Sequence, residues 1–219
     1  MCRTQQVMDD TTAQRIKDAA VGCFYDRGFA GTTIREISSG ADVPVGRIYE
    51  HYPSKYALLV EIVDAGYDGL ISQTLAALAD ARDAPAARLD AAIWAQSNFH
   101  VRHARASSVA QTELRSLGAE DRERIAAKRA RLRDLFTEIL SDGAARGCFA
   151  VENPAAVGCA LLSMCAAIAS WYDPDGLQTP RRIAQTYCDL AARMTADGVT
   201  EAPGGGDAAR DRWAAQAAA

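Results

Sequence analysis

The sequence predicts an all-α protein, on three observations. Alanine is abundant while Val, Ile and aromatic residues are scattered, and only 7 prolines interrupt 219 residues, a composition that favours helices over strands. Apolar residues recur every three or four positions through successive segments, which is the spacing of one helix face. These segments are punctuated by Thr or Ser where helices begin and by Gly or Pro where they end. With 49% hydrophobic and 24% charged residues, the chain can bury a real core and falls in the range of one large or two small domains.

The first helix is read from Thr11. TTAQRIKDAAVGCFYDRGF places Ile16, Ala19, Ala20, Cys23 and Phe24 on one face, with Thr11 or Thr12 as N-cap and Gly28 as terminator. Thr32 and Thr33 are placed to cap the next helix, TIREISSG, in which Ile34 and Ile37 face inward and Gly40 supplies the positive φ of a tight turn. Pro44 suits the first turn of a third short helix. There Ile48 and Tyr52, four residues apart, pack inward and leave Val45, Arg47, Glu50 and His51 on the free edge. Pro53 stops this helix, and Ser54 caps a longer one that begins at Lys55.

Long helices follow. YALLVEIVDAGYDGLISQTLAALAD is one, and Pro85 starts another that runs through LDAAIWAQSNFHVRH. From Ala119 to Gly147 an apolar stripe of Ile125, Leu132, Leu135, Phe136, Ile139 and Leu140 lies opposite a set of arginines. AAVGCALLSMCAAIASWY is apolar nearly all round, as expected of a helix buried on more than one side, either centrally or in a subunit interface. Its length approaches that of a membrane span, but Gly158, Ser163 and Ser170 interrupt it among amphipathic neighbours, so no membrane partner is expected. A last helix, RRIAQTYCDLAARM, opens at Thr179-Pro180, and the glycine-rich remainder reads as a disordered tail. The expected units are 1–55, compact and short-helical; 56–197, long-helical; and 198–219, the tail.

A net charge of −4 and a pI near 5.4 exclude wholesale coating of nucleic acid but not a local DNA-binding surface. MCRTQQVMDD lacks the apolar stretch of a signal peptide, and the chain is expected to be cytoplasmic. Six cysteines without CxxC spacing are expected to be thiols and mostly small core residues. Cys148, beside Arg146, has the cationic neighbour that a thiol sensor needs.

Two short helices joined by a tight turn form a helix-turn-helix, whose second helix enters the DNA major groove while the first braces it. Residues 1–55 carry seven basic and seven acidic side chains. One copy therefore binds weakly, and useful affinity needs two copies on two half-sites.

The order F-x-x-x-G-F at Phe24–Phe29, GTTIREI at Gly31–Ile37, and G-x-I-Y-x-H-Y-P-S-K-x-x-L-L ending at Leu59 resembles the N-terminal domain of the tetracycline-repressor (TetR) family. The resemblance covers about a quarter of the chain. It implies that Thr32 or Thr33 caps the bracing helix at a phosphate, that Tyr49 and Lys55 hold the DNA backbone, and that Val45, Arg47, Glu50 and His51 face the groove. Pro44, where the family often has a polar cap, and the acidic Glu50 are departures.

In this family the remaining helices dimerise and bind a small ligand, which implies a homodimeric repressor of double-stranded operator DNA released by a small hydrophobic effector. Pocket candidates are Trp94, Phe99, His100 and His103 on one helix with Met164, Trp171 and Tyr172 on another, aromatic walls with a few polar groups. Dimerisation is expected through Gly158–Ser170 and Thr179–Met194 as a four-helix bundle. The region from ELRSLGAEDRERIAAKRARLRDLF onward resembles a TetR subgroup that responds to acyl-CoA thioesters. Arg122, Arg124, Lys128, Arg129, Arg131 and Arg133 are the side chains that would meet CoA phosphates, Arg129 foremost. The alternatives are a repressor of drug-efflux genes responding to hydrophobic drugs, or a helical enzyme assembled from His100, His103 and Glu113, whose spacing matches no catalytic or metal motif. No enzyme activity, cofactor or metal is expected.

Overall fold

The computed structural model describes residues 2–196, and the expected tail at 198–219 lies outside them. The described residues are all-α, in the order α1 (Cys2–Gly31), α2 (Ile34–Ala41), α3 (Val45–His51), α4 (Lys55–Asp80), α5 (Pro85–Arg102), α6 (Ala104–Thr112), a 3-10 turn (Glu113–Ser116), α7 (Ala119–Ala145), α8 (Pro154–Trp171) and α9 (Pro180–Thr195).

α1 begins at Cys2, well before the Thr11 start read from the sequence. Neither Gly nor Pro stands between Cys2 and Ile16, and a Thr pair lowers helix propensity too little to stop a helix that is already running. Gly28 does break it, with φ 71 and ψ 166, before one more turn to Gly31. Thr33 caps α2 in a capping box: its hydroxyl accepts the Glu36 N–H, and the Glu36 carboxylate accepts the Thr33 N–H at 2.8 Å. The positive φ after α2 belongs to Asp42 (φ 52) rather than to Gly40. Aspartate tolerates the left-handed region, whereas Gly40 sits inside α2, where a Cβ would lie 3.4 Å from the Ala19 Cβ.

The first core cluster joins Ile16, Ala20 and Phe24 of α1 to Ile37, Ile48, Tyr52, Leu58 and Leu59, and continues into Val109, Ala110, Leu117 and Ile125. The expected boundary at residue 55 is thus a change in helix length and not a gap in packing, because α4 belongs to both parts. A second cluster packs Leu78, Leu89, Ile93, Phe136, Leu140, Leu161 and Cys188. α5 lies at the centre, against α4, α7, α8 and α9.

α8 is buried within the chain on one side only. Gly158, Leu161, Cys165, Ile168 and Ala169 are buried, but Ala156, Ala160, Ser163, Ala167 and Trp171 are exposed. With mean hydropathy 1.6 over 18 residues, the helix is long and apolar enough to cross a membrane, yet only 28% of it is buried within the chain. The cysteines divide as well. Cys165 and Cys188 are buried, with burial pushing both thiols up to about 12. Cys148 and Cys159 are exposed and Cys23 is half-buried, so core placement describes only part of the set.

Candidate DNA interface and effector cavity

The outward edge of α3 is set by the burial of Ile48 and Tyr52 on the other side. Tyr49 is 52% exposed, Glu50 is exposed, and Val45, Arg47 and His51 are half-buried. The Arg47 guanidinium is held between two carboxylates, Glu50 one turn along α3 and Asp9 on α1. The acid on α1 was not legible in the sequence, where it lies 38 residues away. His51 Nε2 is enclosed without a hydrogen-bond partner.

Thr33 stands exposed at the start of α2, where backbone N–H groups point outward and favour an anion. Thr32 is different: it is 1% exposed, and its hydroxyl lies 3.0 Å from Cys23 O and 2.9 Å from Gly28 O. Its side chain closes the end of α1 and is withdrawn from any phosphate. Lys55 also works inward. Its Nζ donates to Phe29 O and Thr32 O, each at 2.6 Å, and sits 4.3 Å from the Phe29 ring centroid. An ammonium has three protons, so one remains for an outside acceptor.

A cavity of about 730 Å³ lies between α1, α4, α5, α6, α7 and α8. Of the candidate effector residues, Phe99, His100, His103 and Arg129 line it. Trp94, Met164, Trp171 and Tyr172 do not, and the reason is angular. Each helical residue turns by about 100°, so Trp94 falls on the far side of α5 from Phe99 and His103. On α8, Cys159, Leu162, Ser163 and Ala166 face the cavity, while Met164 turns into the second core cluster and Trp171 is 46% exposed. Tyr172 packs beside Val101, Ile168 and Ile183. Residue type, three aromatics and a methionine, suggested these four, but helix rotation places smaller and more polar residues such as Gln96, Cys159 and Ser163 in the wall.

The cavity is mixed in character. Burial, and secondarily the charge of His103, lowers His100 to about 4, so its imidazole is neutral at physiological pH. His103 is shifted down too, by burial first, and its ring packs tilted against Phe99 with centroids 4.6 Å apart. The arginine cluster splits in two. Arg124 and Lys128 pair with Asp64, Asp68 and Asp121, which leaves Arg129 and Arg133 as the exposed members that line the cavity, at its mouth. From α1, Gln14, Lys17, Asp18 and Val21 complete the wall, a contribution the sequence did not disclose.

Glu113, once a candidate acid, is 8% exposed and is engaged elsewhere. It accepts the Phe29 N–H at 3.1 Å and the Ser116 hydroxyl at 2.6 Å, and so joins the end of α6 to the end of α1.

Comparison with known proteins agrees with this geometry. Residues 16–62 match the model of bacterial regulatory proteins of the tetR family, and residues 82–195 match the tetracyclin repressor-like C-terminal domain. The transcriptional repressor KstR2 of Rhodococcus jostii (strain RHA1) is 27% identical over 191 residues, covering 83% of this chain and 92% of that protein. A tetR-family regulatory protein from Rhodococcus RHA1 superposes with TM-score 0.78 at 33% identity over 84% of this chain and 97% of that one. AibR, solved with isovaleryl coenzyme A and operator DNA, superposes with TM-score 0.73 at 26% identity over 82% and 97% of the two chains. A helix-turn-helix head sharing its core with a cavity-bearing helical body, and family models that match both parts, place this chain in the TetR family of DNA-binding transcriptional repressors.

Proposed function

We propose that the chain is a cytoplasmic, homodimeric repressor that leaves its operator when the small hydrophobic acyl part of an effector, an acyl-CoA thioester, occupies the cavity. One observation carries this reading: Lys17, Asp18 and Val21, on the first helix of the DNA-binding head, are also part of the cavity wall. A ligand there touches α1 directly, and α1 holds Arg47 through Asp9 and is itself held by Glu113 at Phe29. A ligand that prefers one setting of α1 must weaken or strengthen operator binding by its differential affinity for the two settings.

The thioester class is supported by Arg129 and Arg133 at the mouth, which suit phosphates, and by the isovaleryl coenzyme A bound to AibR. The dimer is supported by the exposed apolar faces of α8 and α9, with Trp171 at 46%, Leu190 at 38% and Met194 at 43% exposure. Thr33, Tyr49 and the third proton of Lys55 are the proposed phosphate contacts, with Val45, Arg47, Glu50 and His51 facing the groove.

The test is a thermal-shift series with isovaleryl-CoA, octanoyl-CoA, free CoA and ethidium, followed by operator release with any stabilising compound. A native-state ligand raises the melting temperature in proportion to ln(1 + [L]/Kd). Stabilisation and operator release by a thioester but not by CoA supports the reading. Stabilisation by ethidium alone favours a drug-responsive repressor.

A further inference from the structure

Among the described residues, three enclosed side-chain polar atoms have no hydrogen-bond partner, and two of them, His100 Nδ1 and Ser107 Oγ, belong to residues lining the cavity. Both side chains are more than nine-tenths buried, at 6% and 7% exposure. Polar groups enclosed in this way are ordinarily paired, so each unpaired one calls for a partner. The third, His51 Nε2, lies on α3 and belongs to the DNA-facing head.

The chemistry of the pair is specific. A neutral imidazole offers one donor and one acceptor, and a hydroxyl offers both. His100 holds no charge near neutral pH; of the cationic side chains of this wall, Arg129 and Arg133 are exposed at the mouth and Lys17 on α1 is drawn toward Glu61 at 3.8 Å. A carboxylate or phosphate placed at His100 would gain no charge from the neutral imidazole and would have to compete with Glu61 for Lys17, whereas a neutral oxygen asks only for the hydrogen bonds that His100 and Ser107 offer. At the roughly 30 Å³ that each water-sized group takes up, the 730 Å³ cavity accepts an effector body of moderate size, with a nucleotide remaining at or outside the arginines.

We propose that His100 and Ser107 together recognise an uncharged oxygen function, a ketone, hydroxyl or ester carbonyl, carried on the apolar body of the effector, whose anionic end lies at Arg129 and Arg133. This rests on the reading of the cavity as the effector site. It narrows the effector from any hydrophobic thioester to an oxygenated one, the kind of product left by hydration or oxidation of a hydrocarbon skeleton.

The experiment compares octanoyl-CoA with hydroxyoctanoyl-CoA and oxooctanoyl-CoA isomers, and the same acids without CoA, by calorimetric titration of the full chain. Wild type, Ser107→Ala and His100→Phe are titrated in parallel. The expected result is about tenfold tighter binding of at least one oxygenated isomer by wild type, the worth of one well-made hydrogen bond. That preference, read within each protein as the ratio of oxygenated to plain octanoyl-CoA affinity, collapses in both variants whatever their affinity for octanoyl-CoA itself. Ser107→Ala, a minimal change, keeps the test open should His100→Phe fold poorly. Equal binding of plain and oxygenated chains, a preference that survives both substitutions, or no binding by any compound overturns the proposal. A His100- and Ser107-dependent preference among the free acids, with no thioester binding, sinks the CoA reading and leaves this one standing.

Discussion

Glu113 and Phe29, 84 residues apart in sequence, meet where α1 ends: the carboxylate Oε1 accepts the Phe29 N–H at 3.1 Å. On the other side of the same peptide segment Lys55 Nζ holds Phe29 O at 2.6 Å. The end of α1 is therefore clamped between the helix that leads into the body and the turn that follows α6. Gly28 makes the clamp possible. Its φ of 71 turns the chain, and a Cβ there would stand 3.3 Å from Glu113 Oε1. Because α6 supplies Ala106, Ser107 and Ala110 to the cavity, the clamp is a short physical route from cavity to head.

Removing the acceptor tests that route. Glu113→Ala strands the Phe29 N–H and costs about 1–3 kcal/mol, which for a chain of this length lowers the melting temperature by roughly 5 °C. Glu113→Gln keeps an acceptor and loses far less. Measured in the presence of operator, Glu113→Ala shrinks the ratio of operator affinities with and without effector, while Glu113→Gln preserves it. An unchanged ratio in Glu113→Ala would show that coupling bypasses the turn.

Arg47, on the edge of α3 proposed to face the groove, is already neutralised by Asp9 and Glu50. Binding must release it, and Asp9 adds a negative charge near the phosphates. Exposed pairs are worth at most about 1 kcal/mol, so Asp9→Asn tightens binding to duplexes of any sequence by about two- to fivefold and steepens the salt dependence. In an Arg47→Ala background the same change does less, a coupling that a double-mutant cycle isolates. Simple additivity of the two substitutions would sink the idea that the contact restrains Arg47.

Tyr49 and Lys55, paired in the sequence reading as phosphate contacts, separate in the structure. Tyr49 is 52% exposed, so Tyr49→Ala weakens DNA binding across sequences and leaves the melting temperature within about 1 °C, as for ordinary surface changes. Lys55→Ala frees two carbonyls, Phe29 O and Thr32 O, and lowers both stability and affinity. Melting curves beside anisotropy titrations distinguish the two cases.

The head was legible because its signals are local. The Thr33–Glu36 capping box, the Ile48 and Tyr52 spacing and the Ser54 cap are each decided within a few residues. What the sequence concealed is long-range or angular. Asp9 reaches Arg47 only because α1 runs on to Cys2. Thr32 is a poor phosphate ligand only because α1 folds over its hydroxyl. Trp94 and Trp171 looked like pocket walls by residue type, yet helix rotation turns them away from the cavity and gives their places to Gln96 on α5 and Ser163 on α8. The cavity-facing residues of α1 carried no signal beyond amphipathicity.

The exposed faces of α8 and α9 predict a dimer that one charge can break. Leu190 is 38% exposed in the single chain, so Leu190→Glu is tolerated by the monomer fold but places a carboxylate in an apolar interface. Light scattering is expected to give a monomer, and operator binding is expected to fall steeply because two half-sites no longer act together. A dimer that survives Leu190→Glu and Met194→Glu together would move the interface elsewhere.

His100 predicts how stability depends on pH. Its ordinary value near 6.5 is lowered to about 4, by burial first and then by the His103 charge. Between these values the unfolded chain binds a proton that the folded chain refuses, so the unfolded state holds more protons and stability falls as pH falls. The contribution is complete above about pH 6.5, declines toward pH 4 and levels off below. Its size is about 3 kcal/mol. The charged groups sharing the cavity are His103, Lys17, Asp18, Arg129 and Arg133; His103, also shifted down, acts in the same window and the same direction. The carboxyl of Asp64, already below the usual carboxylate range through the hydrogen bonds of Lys128 and Arg124 against an opposing burial, loses its contribution only at lower pH. Urea midpoints for wild type at about pH 7.5 and 5 should therefore differ clearly, and His100→Phe should remove the larger part of the difference. Equal slopes in the two proteins would place the titrating group outside the cavity and leave His100 charged and solvated.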